Sequence, residues 1–225
     1  MGNKLKDMWA LDSPLLSFLQ KIAWVFFLNI LFVVTSLPVI TIGASATAMY
    51  TVFFKIIDER EFSFFKDYFR AWTGNFVKST IVWLLMLVVM VILGIDIVYV
   101  FAEMSGPSGI AMKLGTILLA VAFCVFANIM FPLISQFELT VKESFISAFR
   151  MIKENLLLAL ESIVFSVVVF GGCVLIIYSG FFLGLFIVFP LISFGLHGLM
   201  QSYLYRKMFG LDVSVAEEEE YDEEM

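Results

Sequence analysis

The chain has 225 residues, of which 61% are hydrophobic and 15% charged. An ordinary soluble domain carries about 45–50% apolar and about 25% charged residues, so these proportions exclude a soluble globule and place the chain among integral membrane proteins. The net charge of −6 is local: residues 211–225 hold eight acids and no base, and the remainder carries 14 bases against 12 acids, with no basic patch of the kind that grips nucleic acid.

Residues 1–210 read as one helical transmembrane domain and 211–225 as a disordered acidic tail, too poor in apolar surface to order itself. The first residues, Met1 to Lys6, lack the apolar run and small-residue cleavage site of a signal peptide. The hydrocarbon core of a bilayer is ~30 Å thick, or about 20 helical residues. Spans are predicted at roughly 16–37, 79–101, 112–136, 157–178 and 181–205. A sixth, 38–57, is less apolar; its small residues Gly43, Ala44, Ala46, Thr47 and Ala48 suit close helix contact.

Charge favours six spans over five. With six, thirteen of the fourteen bases share one side and only Lys113 lies on the other; with five the partition is ten to four. Cytoplasmic loops carry the Lys/Arg excess. The expected fold is therefore an all-α polytopic bundle of six spans, five being the alternative, with both termini cytoplasmic.

Three near-copies punctuate the apolar sequence: Leu37-Pro38-Val39-Ile40-Thr41, Phe131-Pro132-Leu133-Ile134-Ser135 and Phe189-Pro190-Leu191-Ile192-Ser193. Pro38, Pro132 and Pro190 are read as helix breaks, tolerated in membranes where neighbouring helices and Ser/Thr hydroxyls satisfy freed carbonyls. Seventeen residues separate Pro38 from Lys55 and Pro190 from Lys207, and Gly43 and Gly195 fall in register. Pro132 lies only ten residues before Lys142, so the repeat is loose.

Two polar linkers carry helical periodicity. In 62–76 apolar residues fall at 62, 65, 69, 72 and 76; in 143–156 Phe145, Phe149, Ile152 and Leu156 form the matching stripe. Phe65, Phe69, Arg70 and Asn75 align with Phe145, Phe149, Arg150 and Asn155. Both segments are expected to be cytoplasmic amphipathic helices, lying in the headgroup plane or docked on the bundle, with Phe65, Phe69, Arg70, Phe145, Phe149 and Arg150 as an interfacial or partner face.

Ionisable residues inside spans are functional candidates by default. Asp96, Asn128, Glu161 and His197 are the candidates for an intramembrane polar path. No catalytic residue, metal site or cofactor is expected: the two cysteines have no metal-ligand spacing, the lone histidine has no adjacent nucleophile or acid, and no phosphate-binding or HExxH motif occurs. Gly180-Phe-Phe-Leu-Gly184 is a lone GxxxG at the start of a span.

The aromatic first span with Asn29, the phrase Ser36 to Ala44, the run Ala48 to Lys55 and the following F-x-x-x-F-R…N-F linker together resemble the YesL-like family of small bacterial membrane proteins. The resemblance is densest over about residues 20–80. It implies a bacterial plasma-membrane setting beside carbohydrate-uptake systems, and carries over no catalytic residue. Two readings follow: a non-enzymatic accessory or regulatory protein for carbohydrate uptake, whose partners are the lipid bilayer and transporter subunits, or a small transporter or channel with its path between the repeated units.

Overall fold

The computed structural model describes residues 14–58, 60, 63–178 and 188–211. Lys4, Lys6, Phe62, the Gly180–Gly184 pair and the acidic stretch from 212 onward lie outside them. The described residues form eight α-helices and no strand: α1 Pro14–Thr35, α2 Ile42–Ile57, α3 Phe64–Gly74, α4 Phe76–Glu103, α5 Gly106–Gln136, α6 Val141–Glu154, α7 Leu156–Tyr178 and α8 Val188–Met208. A short 3-10 turn, Val39–Thr41, leads into α2.

Three helical segments among the described residues are long and apolar enough to cross a membrane: Val39–Ile57, Phe76–Glu103 and Gly106–Gln136. Two shorter apolar helical stretches, Gln20–Thr35 and Leu156–Val169, accompany them.

The least apolar predicted span is the centre of the molecule. α2 packs against α1, α3, α4, α5 and α8, and thirteen of its sixteen residues are buried. Its small residues explain this. A Cβ on Gly43 would meet the Ser79 carbonyl and lie 2.7 Å from Trp83 Cβ on α4. Nothing bulkier than hydrogen lets the two backbones come so near. Thr47 and Ser79 hydroxyls then bond across the same contact at 2.9 Å.

α4 is the opposite case. Of its 28 residues only Ser79, Val82, Met86, Leu93 and Val100 are buried, a single seam at spacings of three, four and seven. Much of the rest of its surface between Ile81 and Phe101 is exposed hydrocarbon, which suits a helix facing lipid.

The proline motifs do not share one backbone position. Pro38 stands between helices, extended at φ −73° and ψ 115°, and starts the 3-10 turn. Pro132 lies inside α5, four residues before its end, and leaves the Asn128 carbonyl without its helical partner. Pro190 is the third described residue of α8. The motif hydroxyls do local work: Thr41 Oγ1 donates to the Pro38 carbonyl at 2.7 Å or the Thr35 carbonyl at 2.6 Å, and Ser135 Oγ to the Pro132 carbonyl at 2.6 Å.

The seventeen-residue correspondence has a spatial counterpart. α2 and α8 run side by side in the same direction: Gly198 meets Phe53 and Met49, and Arg206 pairs with Asp58 at 3.0 Å. Gly195 meets α1 instead, with its Cβ position 3.0 Å from Val25 and 3.1 Å from Asn29.

Both linker helices form, but the stripe that faces the bundle is shifted by one residue from the expected one. α3 buries Phe64 and Tyr68, leaving Phe65 63% and Phe69 44% exposed. The sequence holds two apolar stripes at helical spacing, and the bundle takes the one ending at half-buried Trp72. α6 repeats the choice: the matching positions Ser144 and Ala148 are buried, while Phe149 is 72% exposed. α3 runs back along α2 rather than across its end, since Lys55 pairs with Asp67 at 3.0 Å and Trp72 Nε1 donates to Ser45 Oγ at 3.3 Å.

Candidate functional site

Two polar assemblies stand out against the hydrocarbon. The first lies where α2, α5 and α8 end and α3 begins. Asp58 holds Arg60 at 2.6 Å and Arg206 at 3.0 Å, and Asp67 holds Lys55. Asp67 Oδ2 also accepts the Ser63 amide at 2.8 Å, which starts α3. Burial raises the Asp67 carboxyl, but the Lys55 ammonium, the Ser63 amide and the Arg70 charge outweigh it and hold the group below its usual value. Beside this pair opens a cavity of about 420 Å³ lined by Thr51, Lys55, Arg70, Asn75, Gln136 and Glu138, among others. Tyr68 of α3, fully buried, shares a 2.6 Å hydrogen bond with Thr35. Burial pushes its phenol up to about 12, so it stays neutral.

α6 is fixed by a capping box. Thr140 Oγ1 accepts the Glu143 amide at 3.3 Å, and Glu143 Oε2 accepts the Thr140 amide at 2.8 Å. The Thr140 amide and hydroxyl lower the Glu143 carboxyl. The signature Thr140-x-x-Glu143 is legible in the sequence and marks this helix start better than the Phe stripe does.

The second assembly is buried among α5, α7 and α8. Ser166 Oγ lies 3.0 Å from His197 Nε2, 3.3 Å from Asn128 Oδ1 and 2.8 Å from the Ser162 carbonyl. Gln201 Nε2 donates to the Ser162 carbonyl at 2.7 Å and to Ser166 Oγ at 3.2 Å. Ser162 Oγ and the Tyr205 hydroxyl are 3.5 Å apart, and Phe165 stacks on the His197 ring at 5.5 Å. Of the four candidate path residues the cluster joins two, Asn128 and His197. Asp96 is elsewhere, accepting the Thr116 hydroxyl at 2.8 Å within the α4–α5 hairpin. Glu161 is exposed on α7.

The cluster contains a serine–histidine contact that no short spacing reveals, because 31 residues separate the pair. Its chemistry is that of a clasp. The shortest partner of the single Ser166 proton is the Ser162 carbonyl, one turn back, and Gln201 donates to the Ser166 oxygen. Both side chains are buried. Such bonds between helices contribute ~0.6 kcal/mol each in a membrane protein, up to ~1.7. Sequence reading missed Ser162, Ser166 and Tyr205 because hydroxyls in apolar helices are ordinary; only the pairing of the Ser162–Ser166 face of α7 with the His197–Gln201–Tyr205 face of α8 distinguishes them.

Of the interfacial candidates, Phe65, Phe69, Arg70, Phe149 and Arg150 are exposed, and Phe145 is half-buried, stacked on Phe126 of α5 at 5.5 Å. Among the described residues no three His, Cys, Asp or Glu side chains gather as metal ligands would.

An all-helical bundle with three segments able to cross a bilayer defines a membrane-associated helical protein. Within it, residues 23–97 match the model of a family described as Protein of unknown function, DUF624. The chain is similar to that family over about a third of its length, from α1 through most of α4. No curated protein and no solved structure matches the chain.

Proposed function

We propose that this chain is a non-enzymatic, six-span protein of a bacterial plasma membrane, with both termini cytoplasmic, that serves a carbohydrate-uptake system as an accessory or regulatory subunit. The observation that carries the reading is the exposed aromatic and basic edge of α3. Phe65 and Phe69 stand out beside Lys66 and Arg70, while Phe64 and Tyr68 anchor the helix from behind. An anchored helix offering large aromatics and an arginine has the composition of a protein-binding surface.

The six-span count rests on the thirteen-to-one division of bases; the bonds of Tyr68 to Thr35 and of Trp83 to the Val39 carbonyl set α3 and the start of α4 against the Pro38 end of α2 and add nothing to it. The carbohydrate setting and the YesL-like name rest on the sequence resemblance alone. The transporter reading is the weaker one. Asp96 is bonded within its own hairpin and the Asn128–Ser166–His197 cluster is closed by hydrogen bonds among neighbouring helices. Its remaining support is the loose internal repetition.

The test combines two measurements. Purification from native membranes should bring down carbohydrate-transporter subunits in a manner that Arg70→Ala with Phe69→Ala abolishes. Proteoliposomes of the chain alone should show no sugar flux. Autonomous flux that His197→Ala or Asp96→Asn removes would replace the accessory reading with the transporter one.

A further inference from the structure

Between the α4–α5 hairpin and the α6–α7 pair lies a groove of about 510 Å³ lined by apolar side chains: Val89 and Leu93 from α4, Leu118, Ala122 and Phe126 among others from α5, Phe149 and Ile152 from α6, Leu156 and Leu160 from α7. The geometry points to a phospholipid site here, with an acyl chain in the groove and an anionic headgroup at Arg150 and Lys153 of α6. The inference rests on the reading that the chain spans a bilayer with α6 at its cytoplasmic surface.

Size selects the occupant. A membrane-crossing helix is ~10–12 Å wide and ~30 Å long and fills roughly 2,400 Å³ or more. The groove holds about a fifth of that, so it takes in a hydrocarbon chain whole but only one face of a helix from a second copy or a partner.

Apolarity alone selects nothing, because lipid tails are as apolar as leucine and burial in a bilayer gains no hydrophobic free energy. Discrimination must come from the headgroup. Successive helical residues point about 100° apart, so Arg150 follows Phe149 and Lys153 follows Ile152 around the helix. The result is a basic stripe beside the apolar one that lines the groove. Arg150 and Lys153 are exposed, as is Lys142 at the helix start. Two acids share α6: Glu143, engaged by the Thr140 cap, and Glu154, exposed one turn from Arg150. The helix keeps a net charge of +1 from Lys142, Arg150, Lys153, Glu143 and Glu154.

The experiment uses the full chain in nanodiscs holding equal phosphatidylglycerol and phosphatidylcholine, followed by native mass spectrometry of the released protein. The wild type should retain phosphatidylglycerol over phosphatidylcholine by about tenfold, as two basic side chains near an anionic lipid allow. Arg150→Gln with Lys153→Gln, a surface change that leaves packing intact, should bring the ratio near one. Ala122→Trp, which fills the groove, should abolish retention of both lipids. Equal retention of the two lipids by the wild type overturns the site, and so does undiminished retention in Ala122→Trp. A wild-type dimer that Ala122→Trp dissolves gives the groove to a second copy and also overturns it. Failure of the chain to enter nanodiscs as a spanning protein would strike the membrane reading, whereas loss of transporter co-purification leaves the lipid ratio untouched.

Discussion

Asn75 and Asn155 form the same joint in two copies of one device. Each is the single non-helical residue between an amphipathic helix and the apolar helix that follows, and each donates its side-chain amide to the carbonyl four residues back: Ala71 at 3.3 Å and Met151 at 3.4 Å. Asn155 also reaches the Met208 carbonyl at 3.4 Å, tying the joint to the end of α8. The alignment of the two linkers is thus a shared backbone construction. Replacing either by alanine removes a local bond worth about 0.5–1.5 kcal/mol. Thermal unfolding in detergent should show the greater loss for Asn155→Ala, because it breaks the tie to α8 as well. Equal losses would mean that the Met208 contact contributes nothing.

The shifted stripe on α3 separates anchor from surface. Phe64→Ala should cost about 3–5 kcal/mol, as for a buried aromatic, and Tyr68→Ala a similar amount. Phe65→Ala and Phe69→Ala should stay within about 0.5 kcal/mol. Detergent stability of the four single variants reads this directly. A reversed order would restore the stripe at 65, 69 and 72 as the packed one.

Gly43 and Gly195 occupy matching places after their prolines but meet different neighbours. An added methyl at Gly43 meets the backbone of Ser79 and, at 2.7 Å, the Cβ of Trp83, neither of which can swing away. At Gly195 the nearest atoms are 3.0–3.2 Å off, a distance that a small adjustment absorbs. Gly43→Ala should therefore cost about 1–3 kcal/mol and Gly195→Ala less. Expression and melting temperature of the two variants provide the comparison.

The Lys55–Asp67 bridge gives a pH dependence with a definite sign. A carboxyl whose folded pKa is depressed contributes stability that is fully present above its unfolded pKa and is lost as pH falls through the folded one. For Asp67 the unfolded reference is 3.8. The wild type should lose stability in detergent as pH falls below about 4, and Asp67→Asn should remove that part of the loss. The partly exposed pair contributes about 0.2–1 kcal/mol. Identical acid profiles for the two proteins would show that the bridge does not stabilise the fold.

Helix positions were legible in the sequence wherever apolar runs were long. The 38–57 segment was legible through its small residues, which announce close packing although they lower its hydropathy. What the sequence could not show was choice among equivalents. Phe64 and Phe65 are adjacent aromatics, and only tertiary packing decides which turns inward: Phe64 stacks on Trp24 of α1. Asn128 and His197 meet because α5 and α8 both flank α7, a tertiary fact with no local trace. Asp96 and Glu161 carry the same intrinsic cost in a span, yet one finds Thr116 and the other the surface, and composition does not distinguish them.

The most direct test of the account is photo-crosslinking in native membranes from a benzophenone side chain placed singly at Phe65, Phe69, Tyr68 and Val77. The account predicts crosslinks to one carbohydrate-transporter subunit from 65 and 69, lost when Arg70→Ala is added. From buried Tyr68 it predicts none, and from Val77 lipid alone. Crosslinks to lipid alone from all exposed positions would contradict the claim that the outer edge of α3 receives a protein partner.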